Sequence, residues 1–246
     1  DLVTTPGIGG QKLKRGNNAD MQTKGIEIAL VTKNLNNTKL KWTTIFNFSI
    51  YNQEITKLES KPDVFKLING TGGNVVGHPR NGLYSYQFKG LNFQGLPTFV
   101  MAPNQNADIA GANFQDTDNI TKYLKYEGSV EPNKSIGFSN SFSYENWTLN
   151  VFIVASGSNK IRLNPSYSAA YTDLDVFTKE FSNRWLNPGD EAHTTIPVIA
   201  DQRLIANYAA QSKTLERAYS AYNFSDERVA DGSFVRLKNI SLAYEF

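Results

Sequence analysis

Leu40-Lys41-Trp42-Thr43-Thr44-Ile45-Phe46-Asn47-Phe48-Ser49-Ile50-Tyr51 alternates large apolar with polar side chains. Leu40, Trp42, Phe46, Phe48 and Ile50 share one face, interrupted by Thr44. Lys41, Thr43, Asn47, Ser49 and Tyr51 share the other, with Ile45 as the exception. A period of two is that of a β-strand, whose successive side chains point to opposite sides. Upstream, Lys24 to Val31 puts Ile26, Ile28 and Leu30 on one side. The turn formers between Lys33 and Thr38 join the two stretches into a predicted hairpin.

The same period returns further on. Ile136, Phe138, Phe142 and Tyr144 alternate with Gly137, Ser139, Ser141 and Ser143. A tight turn near Glu145-Asn146 leads into Trp147, Leu149, Val151 and Ile153, alternating with Thr148, Asn150, Phe152 and Val154. A last strand is predicted from Ser233 to Phe246, and weaker ones at Leu83 to Lys89 and Thr98 to Met101. Long segments rich in Gly, Asn, Asp and Pro separate these strands, and the longest is an insertion at about 158–232. Within it Leu174, Phe177, Phe181 and Trp185 recur at spacings of three and four, predicting a helix with Thr172 as N-cap and Asn187-Pro188-Gly189 as its stop. Leu204, Ile205, Tyr208 and Leu215 predict a second, weaker helix.

Composition narrows the function classes. The 246 residues carry 25 Lys+Arg against 23 Asp+Glu, a net charge of +2, which argues against a dedicated nucleic-acid binder. With no cysteine, disulfide scaffolds, cysteine zinc sites and thiol catalysis are excluded. His78 and His193 stand far apart, without partners at ligand spacing. No apolar run approaches the roughly 18 residues of a membrane helix. A mean hydropathy of −0.41 suits a soluble protein, but it also suits a membrane β-barrel, whose strands alternate. Asp1 is not an initiator and no signal-peptide pattern follows, so a mature product, a domain or a fragment is expected.

Two architectures produce such alternation. In a β-sandwich the apolar face meets a core; in a transmembrane barrel it meets lipid and the polar face lines the lumen. Three features favour the barrel. The best strands run to about ten residues, above the usual mode of about 5–6. Short turns alternate with very long loops. Trp42, Tyr144, Trp147 and Tyr244 lie near strand ends, as in an aromatic girdle.

Several segments resemble one family. Asn18 with Lys24-Gly25-Ile26-Glu27-Ile28, followed by the Trp42 to Ser49 strand, resembles the late barrel of SusC/RagA-type TonB-linked (TonB-dependent) outer-membrane transporters. Leu83 to Leu91 with Gly95-Leu96-Pro97 resembles that family's Y-x-Y-x-F-x-G segment, and Gly137 to Tyr144 its G-x-x-N-x-F-x-Y hairpin, placing Asn140 at the asparagine. Arg184-Trp185, Pro188-Gly189-Asp190 and Ile196-Pro197 match an R-W-x-x-P-G-D loop. Asp231-Gly232-Ser233-Phe234-Val235-Arg236-Leu237-Lys238-Asn239 is similar to the D-G-S-F-x-R-L-K-N strand. The matches stand in family order over nearly the whole chain.

The resemblance implies an all-β fold, a section of a large antiparallel transmembrane β-barrel with long extracellular loops carrying one or two short helices. Residues 1–246 would form the C-terminal portion of a barrel of about 22 strands, with the plug and early strands absent. It further implies nutrient uptake across the bacterial outer membrane. The implied partners are the rest of the barrel and plug, a SusD-like surface lipoprotein as lid, the TonB complex, oligosaccharide or peptide cargo, and outer-membrane lipid. No nucleic acid, cofactor, metal or catalytic residue is expected. The alternative is a soluble extracellular β-sandwich that binds glycans through its loops.

Tyr171, Arg184, Trp185, Asp190, Tyr208 and Tyr222 are the candidates to face a ligand or lid, since sugars stack on rings and bond to polar side chains. Against this stands packing: loop aromatics normally bury area, and Asn187 to Asp190 suits a turn. Gly25, Glu27, Asn140, Pro188, Gly189, Asp231, Gly232 and Arg236 are motif positions expected to be structural. Asp116-Thr117-Asp118 and Asp173-Leu174-Asp175 lack a calcium-loop pattern, and Gly7 to Gly10 and Gly70 to Gly73 lack a phosphate-loop context.

Overall fold

The computed structural model describes residues 2–4, 13–15, 19–100, 120–171, 177–210 and 215–246. In chain order the elements are β1 (Leu2–Thr4), β2 (Leu13–Arg15), β3 (Ala19–Asn36), β4 (Leu40–Leu58), α1 (Val64–Ile68), β5 (Gly82–Tyr86), β6 (Phe88–Leu91), β7 (Pro97–Phe99), α2 (Ile120–Tyr123) and β8 (Leu124–Ser129). There follow β9 (Lys134–Tyr144), β10 (Trp147–Gly157), β11 (Lys160–Arg162), α3 (Gln202–Ala210), α4 (Leu215–Asn223), β12 (Val229–Asp231) and β13 (Phe234–Tyr244).

The long alternating strands build one antiparallel sheet in the order β13-β10-β9-β4-β3. Its register sets the apolar positions side by side. Leu30 pairs with Phe46, Phe46 with Phe138, Phe138 with Ile153 and Ile153 with Leu237. Toward the short turns the pairs run Trp42–Phe142, Phe142–Leu149 and Leu149–Leu242, and then Leu40–Tyr144, Tyr144–Trp147 and Trp147–Tyr244. A one-residue slip would send each strand's apolar set to the other side. From Leu40 to Ile50 this face rises about 33 Å along the strand at ~3.3 Å per residue. At a tilt of about 40° that spans roughly 25 Å, the height of an outer-membrane apolar band. The face is uncovered: Leu30 is 51% exposed and Ile240 62%.

The opposite face carries Glu27, Ser49, Ser135 and Ser156 in one row, and Lys33, Thr43, Ser141, Asn150 and Ser241 in another. The Ile45 exception has company, because it pairs with Val31 and its row continues through Ser139 to Phe152.

Both short turns lie at one end. Asn37 N bonds Leu40 O at 2.9 Å, Glu145 N reaches Lys39 O at 3.0 Å, and Lys39 pairs with Glu145 at 3.7 Å. Residues 59–133 and 158–233 leave from the other end, where β3 and β4 continue past β9 as far as the Ala19–Leu58 pair. Tyr51 N and OH bond Asn133 O and Pro132 O, while Ile55 and Gly77–His78 exchange backbone bonds. The first of these insertions is thereby tied to the extended hairpin.

The apolar core lies within these insertions, outside the sheet. Val64, Leu67 and Ile68 of α1, Tyr84 and Tyr86 of β5, Leu96, Phe99, Tyr123, Tyr167, and Leu215, Ala218, Tyr219 and Tyr222 of α4 form one buried cluster. Spacings of three and four put the α4 residues on a single stripe. Asp63 caps α1 by accepting from Phe65 N at 2.8 Å.

Three expectations need correction. The helix predicted over Leu174 to Trp185 is absent among the described residues. Lys179–Asn183 winds as a 3₁₀ turn, with Phe181 N bonded to Thr178 O, and Trp185 lies beyond it. Phe177 and Phe181 stack at 4.2 Å, with Tyr171 against both, so their spacing serves ring packing. Thr172 and Leu174 lie outside the described residues, as do Gly7 to Gly10, Met101, Asp116 to Asp118, Asp173 and Asp175. The second predicted helix is two, α3 and α4. The strand predicted from Leu83 to Lys89 is split between β5 and β6.

Candidate functional site

Within the loop layer a hollow of ≈ 880 Å³ lies between the Trp185 turn and α3. Trp185 is fixed on several sides. Its N bonds Ile196 O at 3.0 Å, its Nε1 donates to Glu191 at 2.9 Å, and Gly95 lies flat against its ring. A Cβ on Gly95 would come within 2.5 Å of the indole, and its φ of +74° suits glycine besides. The following turn closes as the composition predicts. Asp190 accepts from Leu186 N at 2.9 Å and Asn187 N at 2.8 Å, which holds its carboxyl below the usual range, and Gly189 takes φ +107°.

Across the hollow, Asp201 caps α3 by accepting from Leu204 N at 2.7 Å. Phe93, Ile199 and Leu204 supply apolar wall, and Gln94, Arg203 and Asn207 supply polar edges. Phe93 is 69% exposed. Such a mixture suits binding: apolar wall for contact area and a few polar groups for orientation.

The candidates named from sequence divide on placement. Trp185 and Pro188 line the hollow. Tyr208 stands near it, with its OH 3.5 Å from Gln94. Arg184 lies over the Phe181 ring at 5.3 Å. Tyr171 accepts from Ser168 N at 3.0 Å and packs on Phe177 and Phe181. Tyr222 is 2% exposed and its ring meets Tyr167 and Phe88, so it belongs to the core and not to a ligand-facing surface. Trp185, at 8% exposure, offers an edge rather than an open stacking face. Phe93, Gln94, Ile199, Asp201, Arg203 and Asn207 escaped the sequence reading, and Leu204 was read only as part of a helix. The available signal was Asp201 three residues before Leu204, an N-cap spacing.

The motif positions sit at joints. Gly25 pairs with Tyr51 on the polar face, and a Cβ there would come within 2.8 Å of Ile50 O and 2.9 Å of Tyr51 Cβ. Glu27 is on the same face of β3. Asn140 is on the apolar face, where its Oδ1 accepts from Trp42 Nε1 at 2.9 Å and Thr44 Oγ1 at 2.7 Å. Asp231 accepts from Ser233 N at 2.7 Å and pairs with Lys160 at 3.7 Å, Gly232 N bonds Asn159 O, and Arg236 covers Phe234 at 5.1 Å. Among the described residues no cluster of His, Asp and Glu is placed to hold a metal.

No family model matches the chain. TonB-dependent receptor P3 of Formosa agariphila is 26% identical over 243 residues, covering 93% of this chain and 22% of that protein. TonB-dependent receptor P39 of the same organism is 23% identical over 288 residues, covering 94% and 25%. The chain is similar to SusC/RagA-type TonB-dependent receptors. Among solved structures, that of the RagAB peptide transporter superposes with a TM-score of 0.66 at 22% identity, covering 98% of this chain and 25% of that one. The RagAB peptide importer in its "open-open" state gives 0.66 at 21% identity, covering 99% and 24%. The chain thus spans about a quarter of the TonB-dependent receptors it matches. The likeness is one of fold: the five-stranded antiparallel sheet with its two long insertions superposes on a section of a large β-barrel.

Proposed function

We propose that this chain is the C-terminal part of the barrel of a SusC-like transporter that imports oligosaccharides or peptides. The observation that carries the reading is the single apolar face, in register across five strands and about 25 Å tall. An ordered loop layer sits over one of its ends. The named relatives are receptors and transporters, which favours a binding and uptake role over an enzymatic one. In this reading the plug and the TonB complex act through parts of the whole protein beyond residues 1–246, and a SusD-like lipoprotein closes over the loop layer. Phe93, Ile199 and Leu204 of the hollow beside Trp185 are offered to cargo or lid. A soluble β-sandwich would need a second sheet over the apolar face, and none covers it among the described residues.

Deletion of the gene in its host, followed by uptake of radiolabelled oligopeptides and oligosaccharides with and without a protonophore, tests the reading. The deletion and the protonophore should each abolish uptake of the same cargo class. Uptake of both classes unchanged by the deletion would overturn it.

A further inference from the structure

On the apolar face, β9, β10 and β13 enclose a groove of ≈ 390 Å³ at the end nearest the insertions. Register accounts for it. Ile136 pairs with Ala155 and Ala155 with Val235, so a small residue lies between two branched ones, and beyond it the Ser233 side chain lies over Gly157 and closes that end of the dip. Opposite Gly157 stands Lys134, in the same row as Ile50, at the outer rim of the apolar band. Lys134 is exposed, and β9 and β10 carry no other charge. No carboxylate pairs with it among the described residues. Asp231, the acid preceding β13, is already engaged by Lys160 and Ser233. Lys24 sits on the same face of β3, one pair beyond Ile26–Ile50, and supplies a second ammonium at that level.

We propose that this groove is a lipid site, holding an acyl chain of an outer-leaflet lipid whose phosphate-bearing headgroup is drawn to Lys134. The inference rests on the reading of the apolar face as lipid-facing. Hydrocarbon fills any dip in such a face, and a chain sunk over Ala155 contacts Ile136 and Val235 on both flanks. A lysine at the rim keeps its stem along apolar surface while its ammonium stays at the headgroup level. There an anionic headgroup is its natural counter-charge.

The test is native mass spectrometry of the full-length transporter, purified in detergent and mixed with equimolar dioleoyl-phosphatidylglycerol and dioleoyl-phosphatidylcholine. The wild type should retain phosphatidylglycerol several-fold over phosphatidylcholine. Lys134→Gln should bring that ratio near one while phosphatidylcholine is still retained. Ala155→Leu, which fills the groove with a side chain the lipid face tolerates, should lower retention of both. Equal retention by the wild type, a preference that survives Lys134→Gln, or retention unchanged in Ala155→Leu would each overturn the headgroup-and-groove assignment while leaving the barrel standing. Retention of neither lipid by the wild type would likewise overturn the lipid site, while the barrel reading is overturned separately by spin labels at positions 46 and 48 that report water.

Discussion

Arg162 reaches from β11 into the middle of the loop layer. Its Nε donates to Ile68 O at 3.2 Å, one Nη to Ser225 O at 2.6 Å, and the other to Tyr84 O at 2.7 Å and Ser85 Oγ at 3.0 Å. One guanidinium thus closes the end of α1, the strand β5 and the turn after α4, drawn from both insertions. Burial pushes its pKa down to about 10, so it stays charged at neutral pH. Arg162→Met keeps much of the stem but orphans those carbonyls, at a cost of about 2–4 kcal/mol to the loop layer. Trypsin added to intact cells should then cut the insertions at lower dose while the barrel remains. Glu180 is a milder case. Burial raises its pKa, but hydrogen bonds from Arg228 at 2.6 Å and Tyr167 at 3.0 Å outweigh that and leave it lowered. Its contribution is therefore present above the unfolded glutamate value of about 4.3 and is lost as pH falls through the lower folded value. The near-ultraviolet circular dichroism difference between wild type and Glu180→Gln should accordingly be present at neutral pH and vanish in acid.

At the scale of elements, the sheet is specified by its two faces. Phe46 lies between Leu30 and Phe138 in the middle of the apolar band, so Phe46→Arg should cost about 2–4 kcal/mol if set at the midplane. Spin labels at positions 46 and 48 should report lipid and labels at 47 and 49 water; the reverse assignment would sink the barrel orientation. The band also contains a polar chain. Asn34 Nδ2 donates to Thr44 Oγ1 at 2.7 Å, Thr44 Oγ1 to Asn140 Oδ1, and Trp42 Nε1 to the same oxygen, joining β3, β4 and β9. The stacked Trp42 and Phe142 rings, 5.4 Å apart, flank Asn140, which is 8% exposed. Asn140→Leu would leave the indole N–H and the hydroxyl without their acceptor, at about 1–3 kcal/mol. Guanidinium unfolding in detergent should show the loss, and unchanged stability would mean the network contributes nothing net.

For the whole molecule, the open edges of β3 and β13 matter most. Among the described residues each presents N–H and C=O groups with no strand beside them, and hydrocarbon satisfies none of them, at several kcal/mol for each orphan. In the whole protein both edges should pair with further strands. Residues 1–246 expressed alone should aggregate or fail to insert into liposomes. A monodisperse, lipid-inserted product with exchange-protected amides along both edges would refute that expectation. The loop layer, with its own buried cluster, is the part best placed to keep its packing when detergent replaces lipid.

Period-two patterning by itself determined the five long strands, both short turns and the apolar face, because a strand's side-chain direction follows from its own residue order. The turn at Asn187 to Asp190 was legible for the same reason: its bonds are local. Tertiary structure alone decided which tyrosines are buried, that 59–133 and 158–233 share one core, and that Arg162 joins them. Those contacts link residues such as Phe88 and Asp226, or Tyr84 and Arg162, far apart in sequence. Tyr222 and Tyr208 read alike in the chain, yet one is core and the other lies beside the Trp185 hollow. Phe177 and Phe181 have helical spacing but stack as rings, since a spacing of four is met equally by an α-helix and by a short turn that brings two side chains face to face.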